Sequence, residues 1–258
     1  MSQCTCNFLS YTLARSVTIN VVIPGPVFSD ASPTHIPKAP YPVLYLLHGG
    51  WGNENIWLRY TAIERYAEER QIAVVTCGSE NTAGSDMSVS IPFGRIRTEE
   101  ILNPHLTDHR EISFSQFIIK ELPEFIHGMF PVSSRPEDTY LAGDGYAALN
   151  ALKILFETPQ QYRAIGLLSP CFRSPVQKHL KAYIGQFAHA AVYLAANSQE
   201  PYAACSKELS DFLKDAGMIH RSDHYSEDYW SVCDASVVSF LEWLPRTDAY
   251  AGHKKRKI

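Results

Sequence analysis

Apolar positions along the chain fall into short runs separated by turn residues, and the period of each run predicts an element. Val17-Thr18-Ile19-Asn20-Val21-Val22-Ile23 alternates with period two, is rich in β-branched residues and closes at Pro24-Gly25-Pro26, which predicts a half-buried strand. A proline-rich loop, residues 32–42, then leads into Val43-Leu44-Tyr45-Leu46-Leu47, an uninterrupted apolar run that turns at His48-Gly49-Gly50-Trp51-Gly52. Such a run reads as a strand covered on both faces, as in a parallel sheet. A helical pattern over residues 56–70 and a second apolar strand over 72–77 follow, so the chain opens β-α-β.

Residues 78–113 carry no clear period and hold Pro92, Gly94 and Pro104. A segment of that length is too long for a simple connector and is expected to be a lid or binding loop. Over residues 115–127, Phe117, Ile118, Leu122, Phe125 and Ile126 share one helical face. The strand Thr139-Tyr140-Leu141-Ala142 turns at Gly143-Asp144-Gly145 into a helix ending near Phe156, and the alternation continues with strands at 164–169 and 190–195 and helices at 203–216 and 231–244. Strands alternating with helices predict a mostly parallel central sheet with helices on both faces, built as one domain over residues 1–258. The basic end, residues 250–258 with His253-Lys254-Lys255-Arg256-Lys257, reads as a solvated tail.

Composition narrows the function classes. At 45% hydrophobic and 19% charged, the 258 residues exclude disorder and coiled coil and are enough for a full core. Twenty-three Lys and Arg against 27 Asp and Glu leave a net charge of −4, too weak a field to make nucleic acid or an anionic membrane the main partner. A small molecule is the expected ligand, and a homo-oligomer is left open. Neither a leader-like N-terminus nor a run of roughly 18 apolar residues is visible, so a cytoplasmic location is expected. The six cysteines, Cys4, Cys6, Cys77, Cys171, Cys205 and Cys233, are expected to be reduced and mostly buried, with Cys4 and Cys6 an exposed pair near a mobile end. His105-Leu106-Thr107-Asp108-His109 and His220-Arg221-Ser222-Asp223-His224 each place Asp between two His, but without helical spacing they read as solvated loop residues, and no cofactor or metal is expected.

Several stretches in the right order resemble the esterase branch of the α/β-hydrolases that includes tributyrin esterases, feruloyl esterases and S-formylglutathione hydrolase. They are Leu13 to Val21 through Pro24, Tyr45-Leu46-Leu47-His48-Gly49-Gly50, Phe117-Ile118-Ile119-Lys120-Glu121-Leu122-Pro123, Leu141-Ala142-Gly143, and Asp228-Tyr229-Trp230. The resemblance implies an α/β-hydrolase fold and carboxylic-ester hydrolysis, in which a Ser at a strand-to-helix turn G-x-S-x-G attacks a carbonyl, a His takes its proton and an acid orients the His.

Set on that pattern, Gly143-Asp144-Gly145-Tyr146-Ala147 puts Gly145 at the nucleophile position, so the hydroxyl is absent. A shifted register would make Asp144 the nucleophile, as in haloalkane dehalogenases, but it would place Tyr146 where a small residue is needed; the plainer reading of Asp144 is a polar residue on an exposed turn. Glu200 stands at the acid position. The His position falls on Tyr225, with His224 adjacent and able to reach it through one inserted loop residue. The oxyanion groups implied are the backbone N–H groups at Gly50 and Tyr146. Trp51, Trp57, Tyr60, Phe93 and Trp230 are expected to border an apolar cleft suited to an acyl or aromatic ligand. The expectation is therefore an esterase homologue without ordinary serine-esterase activity that keeps a ligand or partner site. The alternative is an active hydrolase on small esters using His224, Glu200 or Asp144 in a rearranged site.

Overall fold

The computed structural model describes residues 1–29, 32–35, 39–49, 52–78, 114–171 and 190–244. Ten strands, β1 (Ser2–Ser10), β2 (Arg15–Ile23), β3 (Val27–Ser29), β4 (Ser32–His35), β5 (Val43–His48), β6 (Ala73–Gly78), β7 (Thr139–Asp144), β8 (Ala164–Leu168), β9 (Ala191–Asn197) and β10 (His220–Tyr225), alternate with helices. The helices are α1 (Ile56–Tyr60), α2 (Ile63–Arg70), α3 (Leu122–Met129), α4 (Tyr146–Glu157), α5 (Ala203–Asp215) and α6 (Tyr229–Trp243). Eight strands form one sheet in the order β1-β2-β6-β5-β7-β8-β9-β10. β1 and β2 pair antiparallel, as do β2 and β6, and every pair from β6 to β10 is parallel. The parallel sheet with helices on both faces is the architecture expected from the alternation.

The central strands show why their apolar runs are unbroken. Val43, Tyr45 and Leu47 of β5 face one layer with α3, α4 and α5, while Leu44 and Leu46 face the other with α1, α2 and α6. Both faces exclude water, so neither parity tolerates a polar residue. α4 is the most enclosed helix, with residues 147–155 all buried.

Five parts of the fold depart from the sequence pattern. The helix expected over 56–70 is two helices, broken where Thr61 turns extended at φ −132°, ψ 166°. There the Asp234 carboxylate accepts the Ala62 N–H at 2.8 Å and the Thr61 hydroxyl donates to Trp57 O at 2.5 Å. The helix expected over 115–127 includes a π-helical turn, Phe117–Glu121, before α3. Its Glu121 carboxylate is 4% exposed and accepts from Ser10 Oγ at 2.8 Å, Tyr11 N at 2.9 Å and Thr12 N at 2.9 Å, closing the β1–β2 turn. β3 and β4 form a small separate hairpin, partly inside the proline-rich loop.

The strands β1 and β10 are the other two. Both lie at edges of the sheet, where one side of the ladder and much of each face meet solvent, so apolar alternation is weak in each. Cys4 and Cys6 thus sit in an ordered strand rather than a mobile end, and His220 to His224 lie in a strand rather than a loop. Of the six cysteines only Cys77 and Cys233 are buried; Cys6, Cys171 and Cys205 are half-buried and Cys4 is exposed. Of the segment 78–113 expected to form a lid or binding loop, Gly78 ends β6 and the rest lies outside the described residues, as does the expected tail, 250–258.

Candidate active site

The carboxyl ends of the parallel strands bring the candidate residues to one edge. Register places Leu47 beside Gly143, Asp144 beside Leu168 and Asn197 beside Tyr225. Ligand sites of parallel α/β sheets form outside this edge.

The turn between β7 and α4 is the centre. Gly145 has φ 55° and ψ −113°, donates its N–H to Leu168 O at 2.8 Å and accepts from Cys171 N at 3.3 Å. That backbone conformation is one that side-chain-bearing residues adopt only under strain, and glycine escapes the cost. Among the described residues a Cβ at Gly145 would meet only Cys171 Sγ, at 3.7 Å, an ordinary contact. Tyr146 begins α4 directly after it. From the β5 end, Gly49 lies flat on the same turn: a Cβ there would stand 2.7 Å from Ala147 N and 2.8 Å from Asp144 O.

Asp144 points the other way. Only 1% exposed, its carboxyl is turned onto α6, where the Tyr229 hydroxyl donates to Oδ2 and Cys233 Sγ lies 3.8 Å from Oδ1. Burial pushes its pKa up to about 7, and the Glu200 charge adds to the rise, against the lowering hydrogen bonds from Tyr229, Cys233 and the Gly145 N–H. His48 Nδ1 is 3.8 Å from Asp144 Oδ2, but burial lowers the His48 pKa to about 4, so its ring is neutral at pH 7. Burial also raises the Glu200, Tyr229 and Cys233 groups above their ordinary values, Tyr229 and Cys233 with help from the Asp144 charge.

The remaining positions divide. Glu200, half-buried in the turn after β9, is close enough for its charge to act on Asp144 and Cys233. Tyr225 ends β10 with its hydroxyl 3.0 Å from Tyr193 Oη and 3.4 Å from Ala235 O, while His224 is exposed on the strand. Among the described residues no hydrogen bond joins either to the β7–α4 turn. Trp230 stacks on the exposed Tyr60 at 3.9 Å with a 12° interplanar angle. Trp57 is 1% exposed in the core, its ring edge-on to His48 at 6.0 Å. Gly50, Trp51, Phe93 and the pair His105 and His109 lie outside the described residues. In the second His-rich stretch, His220 Nδ1 is 3.1 Å from Met218 O and Asp223 accepts from Tyr193 Oη at 2.9 Å. No metal-sized group of three ligands occurs among the described residues.

Two residues at the turn were not marked as site residues in the sequence. Tyr229 stands inside the Asp228-Tyr229-Trp230 stretch, whose first residue caps α6 by accepting from Trp230 N at 3.1 Å and Ser231 N at 3.3 Å. Cys171 follows a strand by three residues, and nothing in its sequence context marks its approach to Gly145.

A parallel sheet whose central strand turns at a positive-φ residue directly into a buried helix, with a glycine loop from the neighbouring strand laid on that turn, defines an α/β-hydrolase. Within that class the chain belongs to the Esterase family, described as "Putative esterase", whose profile matches residues 10–236. An acetyl esterase of Caldicellulosiruptor saccharolyticus is 23% identical, over 93% of this chain and 97% of that protein. Among solved structures, the substrate-bound fluorophosphonate-binding serine hydrolase F of Staphylococcus aureus superposes with a TM-score of 0.70 and 18% identity, covering 94% of this chain and 98% of that one. The S-formylglutathione hydrolase of the same organism, as apoenzyme, superposes with a TM-score of 0.69 and 15% identity, over 94% of this chain. Family and fold are those the sequence motifs imply, and no helix among the described residues is long and apolar enough to cross a membrane.

Proposed function

We propose that this chain is an esterase-family protein without ordinary serine-esterase turnover that retains a binding site for an ester-like small molecule above the β7–α4 turn. One observation carries the reading: the turn holds the strained backbone that presents a nucleophile in this fold, yet the residue there is Gly145. The neighbouring acid does not substitute, because Asp144 is buried against α6 while the side-chain direction at 145 opens towards Cys171. Among the described residues no base serves the turn: His48 is enclosed and, with burial lowering its pKa to about 4, a weak base, and His224 faces solvent on β10. What supports binding is the family match over residues 10–236 together with the place of the β7–α4 turn at the carboxyl edge of the parallel strands, where ligand sites of such sheets form.

A fluorophosphonate probe and p-nitrophenyl acetate test this, with the S. aureus serine hydrolase, described as fluorophosphonate-binding, as positive control. The expected result is no stoichiometric labelling and turnover near background, since the hydroxyl that would be phosphonylated is absent. Labelling of one residue per chain, or burst hydrolysis, overturns the reading. A second reading, hydrolysis at a rearranged site, rests on Cys171 Sγ standing 3.7 Å from where a Cβ at residue 145 would lie. It requires turnover that Cys171→Ala abolishes.

A further inference from the structure

The two edges of the large sheet are built differently. β10 carries Arg221 and Asp223, ion-paired at 2.8 Å, together with His220 and His224. Charged side chains of this kind are how proteins stop an exposed strand edge from recruiting another strand. β1 has no such guard. Its nine residues include no charge and no proline, and its register with β2 runs unbroken from Ser2 opposite Ile23 to Ser10 opposite Arg15. Among the described residues no strand pairs with its outer side. Three of the exposed large apolar residues lie on or beside it: Met1 at 48%, Leu9 at 77% and Tyr11 at 67%.

The sequence of this edge is close to a palindrome in residue class about Thr5: of the four pairs that Met1-Ser2-Gln3-Cys4 makes with Cys6-Asn7-Phe8-Leu9, three match and one, Ser2 with Phe8, does not. An antiparallel strand from a second copy, placed with Thr5 opposite Thr5, would set Cys4 opposite Cys6, Gln3 opposite Asn7 and Met1 opposite Leu9. Thiol meets thiol, amide meets amide and aliphatic meets aliphatic. Directly opposite residues in such a pair stand on the same face, about 4.5 to 5.5 Å apart between Cβ atoms, so these matches are contacts. The faces agree too. The even face is anchored to its own chain by Phe8 stacked on Phe125 at 4.2 Å, and the odd face by Thr5 Oγ1 donating to Asn20 at 2.7 Å. β1 is thereby held as a rigid template.

From this the geometry points to a homodimer in which β1 pairs antiparallel with β1 of a second copy about a two-fold axis at Thr5, joining the two eight-stranded sheets. The interaction is isologous, as a two-fold requires, since each partner presents the same strand. A single strand edge is at the small end of specific interfaces, so association in the micromolar range is expected. The inference is independent of the chemistry at Gly145.

Light scattering on a sizing column, with dilution through the micromolar range, tests it on the full chain. Wild type is expected at twice the 29.0 kDa chain mass. Gln3→Lys with Asn7→Lys places lysine opposite lysine twice across the axis and should give monomer with an unchanged circular dichroism spectrum. Gln3→Glu with Asn7→Lys makes both oppositions attractive and should restore the dimer. A wild-type monomer overturns the proposal, including the case in which β1 instead takes a strand from another protein. So does a double-lysine variant of unchanged mass, or a charge-paired variant that stays monomeric. Should the double-lysine chain fail to fold, a short bis-maleimide decides on the wild type. It should link two chains, and the link should vanish in Cys4→Ser with Cys6→Ser; no link, or one that survives in that variant, refutes the pairing.

Discussion

Replacing Gly145 by alanine isolates the backbone strain that the β7–α4 turn imposes. At φ 55°, ψ −113° a residue with a Cβ is held in a sparsely populated region, which costs about 1 to 3 kcal/mol. Among the described residues sterics add nothing, because the new Cβ would meet only Cys171 Sγ at 3.7 Å, an ordinary contact. Alanine also restricts the unfolded chain and returns about 0.4 to 1 kcal/mol. The middle of these ranges leaves a net loss of about 1.3 kcal/mol, or a fall in Tm of about 3 to 5 °C for a chain of this size. Urea unfolding should show the midpoint moving down with the slope unchanged. Gly217→Ala is the control: its φ of 67° is also positive and nothing lies within 4 Å of the added Cβ, but it stands at the end of a surface helix. Gly145→Ser should lose similar stability and gain no turnover, since a hydroxyl without a base in reach is not activated. A neutral or stabilising Gly145→Ala would refute the strain argument; hydrolysis by Gly145→Ser alone would show that a base already reaches the turn.

Two further perturbations probe the buried carboxylates. Asp144 keeps its proton to about pH 7 in the folded state against 3.8 in its ordinary setting, so folding takes up a proton between these values and the Asp144 contribution falls as pH rises. His48, at about 4 folded against 6.5, works oppositely; the two offset each other between about pH 4 and 6.5. Asp144→Asn should therefore tilt the stability curve upward across that window relative to wild type, measured by urea unfolding at a series of pH values, and parallel curves would contradict the assignment. Burial pushes the Glu121 carboxyl up, but hydrogen bonds from Thr12, Ser10 and Tyr11 outweigh it and hold it below its ordinary value. Glu121→Ala should cost about 2 to 4 kcal/mol by leaving those donors unpaired. The loss should be seen in thermal unfolding above pH 4.5 and shrink as the pH falls below it, because the wild type then forfeits the same contribution; a constant loss would count against it.

Strand β5 and helix α4 were legible from sequence because a residue covered on both faces must be apolar whatever its neighbours are, so burial writes itself into composition and period. The Gly143-Asp144-Gly145-Tyr146-Ala147 turn was legible for a related reason: close helix-to-strand approach demands small residues at fixed positions. The edge strands β1 and β10 left little trace, since half-solvated positions accept polar and apolar residues alike. The break between α1 and α2 left none, because it depends on Asp234 arriving from α6 to take the Ala62 N–H. The same limit applies at the site. Sequence set Gly145 at the nucleophile position and Glu200 at the acid position of the family pattern, both single positions in a motif. It read Asp144 as exposed, whereas its burial beneath Tyr229, the approach of Cys171 to Gly145 and the turning of Tyr225 towards Tyr193 all come from packing between segments far apart in the chain. Local pattern carries what each residue requires of its immediate backbone, and only the folded sheet decides which distant side chain meets it.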